Sequence, residues 1–482
     1  MKLPKVNKSL YILFFLTLFL FPLFQNFAGS SSISATVFGS PLVISTSLQM
    51  AGAITSLTWR GIEFINAADH GRELQSASSF DGFGECFNPT EGGSVTDGTK
   101  PVSTSVLQGL SAIGNQLKTT TQMAFWTPMN YAYPSGCGTS GLKISQNTNN
   151  LSNHVFSKQV TIGTLGIENA IEYIVNFHVS EAHSSATFEF LTSYMPNNFS
   201  SFWTYNPQTG ALASLSHVSG EQSFPLIFST QDRAYAMGVY SPEIANVGYG
   251  RFDFSVDHVV KWNAVSRRAE TPTGDYGFRA YVFVGSLQQV MASMTAARQA
   301  FILMDTKLYN YDYYISKYKD LRHSDGSFLT PDEASNHWVR FGIDEGRQGV
   351  LTFKASEYLA LYGDMRTAFG ANGFRQAALH FFNSGYTEGR GGRISLSPLV
   401  FDATWYINAN VDLKNAGFNQ SQGVTHWLNS GIYEGRVARS DFSVTSYLNH
   451  YADLKAAFGN NYEAAIAHFV QYGKAEGRSG AP

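Results

Sequence analysis

The chain has 482 residues; 44% are hydrophobic, 14% aromatic and 14% charged, and the net charge is −3. So few charges beside 25 Tyr and 37 Phe exclude a disordered chain, and a near-neutral balance without a basic run excludes an electrostatic nucleic-acid binder. Two cysteines exclude a disulfide-dense scaffold and a four-cysteine zinc site.

Lys2, Lys5 and Lys8 precede an apolar run from Leu10 to Phe24, and the small residues Ala28-Gly29-Ser30 follow. A basic start, a short apolar stretch and a small-residue exit predict a secretory signal peptide over residues 1–28. The run falls short of the ~20 residues that span a bilayer and contains Pro22. The expected mature protein is exported, to the periplasm, the cell surface or beyond, with no membrane span. In that oxidising setting Cys86 and Cys137 are candidates for one disulfide.

Composition then divides the chain. Charged residues are about 11% of residues 1–304 and about 20% of residues 305–482. Residues 34–285 carry repeated strand signals: AITSLTWRGIEFIN at Ala53–Asn66, then alternating runs at Val155–Gly163, Ala170–Val179, Ala186–Tyr194, Phe252–Trp262 and Tyr276–Val284. Roughly ten strands without an intervening helix predict one large antiparallel β-sandwich. The first helical pattern, Gln288–Met304, predicts a linker helix within 286–308.

Residues 309–482 repeat four times, over 309–347, 353–390, 401–436 and 442–478. Aligned on Asp320, Asp364, Asp412 and Asp453, each unit has Tyr314, Tyr358, Tyr406 or Tyr447 six residues earlier. Next come His337, His380, His426 and His468, each followed by an aromatic. Five residues past each His stands Gly342, Gly385, Gly431 or Gly473, and eight past it a Glu-Gly-Arg begins. The pattern predicts four helical hairpins stacked as an all-α array, with the histidines and arginines in structural roles. These units resemble the tandem "YY…PDV…HY…G…EGR" repeats of exported and surface-associated bacterial proteins. They depart at the Pro-Asp step, where Lys319, Gly363, Val411 and Ala452 stand. That resemblance implies a spacer or docking role toward an envelope or surface protein.

Polar loop residues concentrate between Trp59 and Tyr133. Asp69, His70, Arg72 and Gln75 follow one strand end; Asp81, Glu85, Asn88 and Glu91 lie in a glycine-rich loop, and Trp126 and Tyr131 border another. Aromatic faces beside Asp, Asn, Gln, Arg and His suit a sugar. Asp69, His70, Arg72, Gln75, Asn88, Glu91, Trp126 and Tyr131 are therefore candidate saccharide or polysaccharide contacts. An enzyme reading would draw its acid and base from His70, Glu85 and Glu91. Asp69, Arg72 and Glu73 read equally well as an ion-pair network holding the loop. No catalytic Ser-His-Asp order, phosphate loop or paired-His motif appears, so neither metal nor cofactor is expected.

The stretch GAITSLTWRGIEFINAADHGRELQ (Gly52–Gln75) and the closing run Phe278–Gly285 resemble galactose-mutarotase-like supersandwich domains. The resemblance implies a supersandwich fold shared by sugar epimerases, domains of polysaccharide lyases and glycoside hydrolases, and non-catalytic sugar binders. Mutarotases use a His acid and a Glu base. His70 matches the first; His178 and Glu243 are further candidates, and the base has no motif match.

Overall fold

The computed structural model describes residues 29–137, 141–254 and 258–482. The leader expected over residues 1–28 lies outside them. Two compact units divide at Arg298/Gln299.

Among its described residues the first unit holds a hydrogen-bonded antiparallel network of 19 strands, so the expected large β fold is what the chain forms. Strand Ala186–Pro196 sits between Leu74–Phe80 and Val259–Arg268, and Gly248–Phe254 borders the latter. A second layer runs through Gln116–Phe125, Leu151–Ile162, Ala170–Val179 and Gly274–Gly285. Alternation sends Phe188, Phe190 and Trp262 of the first layer into the core with Phe156, Phe177 and Phe278 of the second. Phe177 and Phe188 lie 5.1 Å apart, and Phe190 stacks on Phe278 at 5.2 Å. Alternation, reset by the bulge between Glu189 and Leu191, sends Glu189, Thr192, Tyr194, Lys261 and Asn263 to the opposite face.

One expected strand is different. Phe252–Trp262 is not continuous: Gly248–Phe254 and Val259–Arg268 are separate antiparallel strands, with Phe252 paired to Lys261. Both arms alternate, so period alone does not reveal the reversal between them. The linker helix spans Leu287–Leu303, and Gly238 leaves room for its Val290 and Met294 against the sheet.

The second unit holds the four repeats, and one interaction organises all of them. The Tyr hydroxyl and the His Nδ1 meet at 2.9 Å in Tyr314–His337, Tyr358–His380, Tyr406–His426 and Tyr447–His468. That hydroxyl lies where a side chain on Gly342, Gly385, Gly431 or Gly473 would stand, which explains the glycine five residues after each His. In each Glu-Gly-Arg the glycine adopts φ of +67 to +73°, open to glycine at little cost. The arginine then bridges the unit's Glu and its Asp, as Arg347 does between Glu345 and Asp320 at 2.6 and 2.7 Å.

The helical array is as expected, with two features that the repeat pattern does not show. The hairpins are not simple: repeats two to four each contain three short helices, such as Ala355–Leu361, Gly363–Phe369 and Phe374–His380. The residue two before each Asp ends the first helix with ψ near 100°; the hydroxyl of Tyr362 there is bonded by the Gly391 N–H at 2.7 Å. The array also closes on itself. Arg393, after repeat two, bonds Glu357 of repeat two and Glu463 of repeat four, each at 2.9 Å, so the last repeat folds back on the second.

Gly431→Ala should destabilise the helical unit by about 1–3 kcal/mol, because the new methyl displaces Tyr406 from His426. Gly363→Ala, with nothing within 4 Å, is the matched control and should stay within about 0.5 kcal/mol of wild type. Denaturant unfolding followed by far-ultraviolet circular dichroism reads both.

Candidate functional site

The glycine-rich loop folds over a buried polar network, and that network claims several of the expected sugar contacts. His70 is 1% exposed, its Nδ1 2.8 Å from the Gly92 carbonyl and its Nε2 2.9 Å from that of Lys100. Glu91 is wholly buried, accepts the Ser76 N–H at 3.1 Å and pairs with the buried Lys158, which also donates to the Gly52 carbonyl at 2.8 Å. Gln75 accepts the Gly92 N–H at 2.8 Å. Burial pushes the Glu73 carboxyl up to about 8, against the Gly71 N–H that bonds it at 3.0 Å. His70, Gln75 and Glu91 therefore do not reach solvent, contrary to their expected role as contacts. A glycine-rich loop supplies many backbone donors and acceptors, and buried ones must be satisfied from within.

The other expected residues spread out. Asp69 and Arg72 form a half-exposed pair at 3.3 Å. Trp126 packs over Gly71, and its N–H bonds the Asn88 carbonyl at 2.7 Å. Tyr131 is half-buried, its N–H bonding Ser145 Oγ at 2.9 Å. His178 pairs with Asp275 at 3.1 Å and Glu243 with Arg279 at 3.1 Å, both near the surface. Cys86 and Cys137 are bonded, with Cα atoms 5.4 Å apart, and pin the short helical turn Gly84–Phe87.

That pinned turn carries Glu85 over the polar face of the first layer. There Lys261 Nζ meets Glu189 Oε1 at 2.9 Å, and Asn263 Nδ2 donates to the same oxygen at 3.0 Å. Asn263 Oδ1 is in turn held by the Gly250 N–H at 3.1 Å. Lys261 lies 5.0 Å from the centre of the Tyr194 ring and 5.3 Å from that of Phe252. On the loop side Asn88 Nδ2 donates to Glu85 Oε2 at 3.2 Å. Lys261 and Glu189 keep 14% and 17% of their side-chain surface exposed, so water reaches the cluster.

The two carboxyls are driven apart. Burial raises Glu85, and the more distant Lys261 charge only partly offsets it. Burial also opposes charge on Glu189, but Lys261 in direct contact overcomes it and holds this carboxyl below the usual range. Lys261, despite burial, is raised by Glu189. The cluster presents one carboxyl pushed toward its neutral form, one carboxylate paired with an ammonium, and two amides between aromatic rings.

Glu85 and Asn88 were legible as loop candidates. Glu189, Tyr194, Lys261 and Asn263 were not, because alternating strands place polar residues on a face by default. The available signal was charge inside apolar strands, ATFEFLTSYMP and VVKWNAVSRR. A separate open pocket of about 480 Å³, lined by Glu221, Tyr240, Tyr249 and Arg298 among others, shares no residue with this cluster. Its acid Glu221 is engaged by Arg267 at 3.0 and 2.6 Å.

No protein-family model and no curated protein matches the chain. Among solved structures, the β unit is similar to a galactose mutarotase related enzyme from Lactobacillus acidophilus, at 10% identity and a TM-score of 0.31, over 53% of this chain and 97% of that one. It is similar to the alpha-galactosidase from Lactobacillus brevis at 6% identity and a TM-score of 0.33, over 56% of this chain and 41% of that one. Heparan sulfate lyase HepC from Pedobacter heparinus matches at 9% identity and a TM-score of 0.28, over 52% and 34%.

Proposed function

We propose that the β unit binds a saccharide at the recess formed by Glu85, Asn88, Glu189, Tyr194, Lys261 and Asn263. The carrying observation is the Lys261–Glu189–Asn263 cluster, which remains open to water between the Tyr194 and Phe252 rings. Sugar hydroxyls both donate and accept, so a site for them needs fixed donors and acceptors side by side, with aromatic faces for the ring. An exported chain with the leader read at residues 1–28 would meet such a ligand on an envelope or extracellular polymer. The helical unit would then serve as the docking array.

A second reading rests on the opposed carboxyls. A raised Glu85 beside a lowered Glu189 is the direction of separation that an acid and a base need. In that reading Glu85 donates a proton to a glycosidic or ring oxygen, while Glu189, or a group it orients, accepts one.

A glycan array probed with the full chain, followed by calorimetry on the best glycan, tests the proposal. Lys261→Met should weaken binding at least tenfold, since it removes a donor and leaves Glu189 unpaired. Silence across diverse glycans, or equal binding by the variant, would contradict it. Release of reducing ends or unsaturated product by wild type but not by Glu85→Gln would select the catalytic reading.

A further inference from the structure

His154 opens strand Leu151–Ile162, and Glu181 and His183 lie on the turn between Ala170–Val179 and Ala186–Pro196. One side-chain ligand atom from each lies within 4.8 Å of the other two. Among the described residues the Nε2 atoms of His154 and His183 are buried without a hydrogen-bond partner, on side chains only 3% and 5% exposed. Two orphaned imidazole nitrogens beside a carboxylate are costly unless something occupies the space between them.

We infer that His154 Nε2, His183 Nε2 and Glu181 Oε1 bind one divalent transition-metal ion of the zinc class. Each ligand is already oriented by the atoms that do not face the site. Asp81 Oδ2 accepts from His183 Nδ1–H at 2.8 Å, which leaves the Nε2 lone pair directed outward; this is the carboxylate–histidine arrangement that tunes metal ligands. Asp81 is itself fixed by the backbone and hydroxyl of Ser184, at 2.7 and 2.8 Å. At His154 the Ser180 N–H lies 3.4 Å from Nδ1 and the His178 backbone also bonds the ring; Nε2 turns its lone pair to the ion when Nδ1 carries the proton. The Ser180 hydroxyl bonds Glu181 Oε2 and leaves Oε1 facing the histidines. Phe80 stacks on both imidazoles, at 4.9 and 4.1 Å, and limits their rotation.

The geometry suits a tetrahedral ion. Metal–ligand bonds of about 2.0–2.1 Å set neighbouring ligand atoms about 3.3 Å apart. His154 Nε2 and Glu181 Oε1 already stand 3.5 Å apart, and Glu181, 47% exposed, can swing to complete the closure. Two nitrogens and one oxygen leave a fourth position for water. The ion would tie strand Leu151–Ile162 to the turn and, through Asp81, to the loop that leads into Glu85. This site does not depend on the saccharide proposal. No motif marks it in the sequence, because 27 and 29 positions separate His154 from its two partners and a whole strand intervenes.

The test is zinc titration of the full chain after chelator stripping, with cobalt substitution read by its visible spectrum. One equivalent should bind. Glu181→Gln, a surface change that leaves the fold intact by circular dichroism, should weaken it at least tenfold. His183→Gln should remove it, and Asp81→Asn should weaken it about 10–100-fold. No zinc uptake by the wild type, or uptake that Glu181→Gln and His183→Gln leave unchanged, would overturn the inference.

Discussion

Lys158→Met should destabilise the β unit by about 3–5 kcal/mol, while adding Glu91→Leu to it should recover at least half of that loss. Lys158 and Glu91 are 2% and 0% exposed and pair directly beneath the glycine-rich loop. Burial drives both toward their neutral forms, lowering Lys158 and raising Glu91, and the largest opposing pull on each is the other. Removing the lysine alone leaves a carboxyl with only the Ser76 N–H for company. Removing both charges leaves ordinary polar backbone to satisfy, which is far less costly. Denaturant unfolding of the two variants measures the coupling; equal losses in the single and double variants would show that the pair does not act as a unit.

The second large effect is a dependence on pH carried by Glu73. Its carboxyl rises from 4.5 to about 8, first through burial and then through the nearby acids Asp69 and Glu91. The folded state therefore keeps a proton that the unfolded chain releases. The stabilisation is complete below pH 4.5 and is lost progressively up to about pH 8. A rise of that size corresponds to on the order of 5 kcal/mol at about 1.4 kcal/mol per pH unit. Glu73→Gln keeps an acceptor for the Gly71 N–H without the titration. Unfolding of both proteins across pH 4.5–8 should show the variant gaining on wild type by several kcal/mol. A constant difference over that window would contradict the buried neutral carboxyl.

Much of the fold could be read from residue spacing, for identifiable reasons. The repeats were legible because one Tyr, one His and one Gly return at fixed offsets, and the structure joins those same three groups in every unit. The helix break before each Asp was not. Tyr358, Leu359, Tyr362 and Met365, at six, five and two residues before Asp364 and one after it, have the spacing of one helical face, so the pattern cannot register Tyr362 turning to ψ 97°. Nor could spacing reveal that Arg393 and Glu463, 70 positions apart, close the array on itself.

The site was half legible. Loop chemistry pointed to Glu85, which lies within the field of Lys261 and Glu189, and to Asn88, which is buried and bonded to Glu85. It pointed equally to His70 and Glu91, because a glycine-rich loop needs polar partners both to bind a ligand and to satisfy its own backbone; only depth separates the two uses. Lys261 and Glu189 went unread because a charged residue in an alternating strand is taken as solvated until its neighbours across the sheet are known. The bulge between Glu189 and Leu191 also shifts which residues of that strand face the recess, and it has no sequence mark of its own.

A crystal structure of the full chain with the best glycan from the array locates the saccharide directly. Sugar density is expected against the Tyr194 and Phe252 rings, with hydroxyls within hydrogen-bond distance of Lys261 Nζ, Glu189 and Asn88. Density confined to the pocket beside Arg298, or to the helical repeats, would contradict this placement.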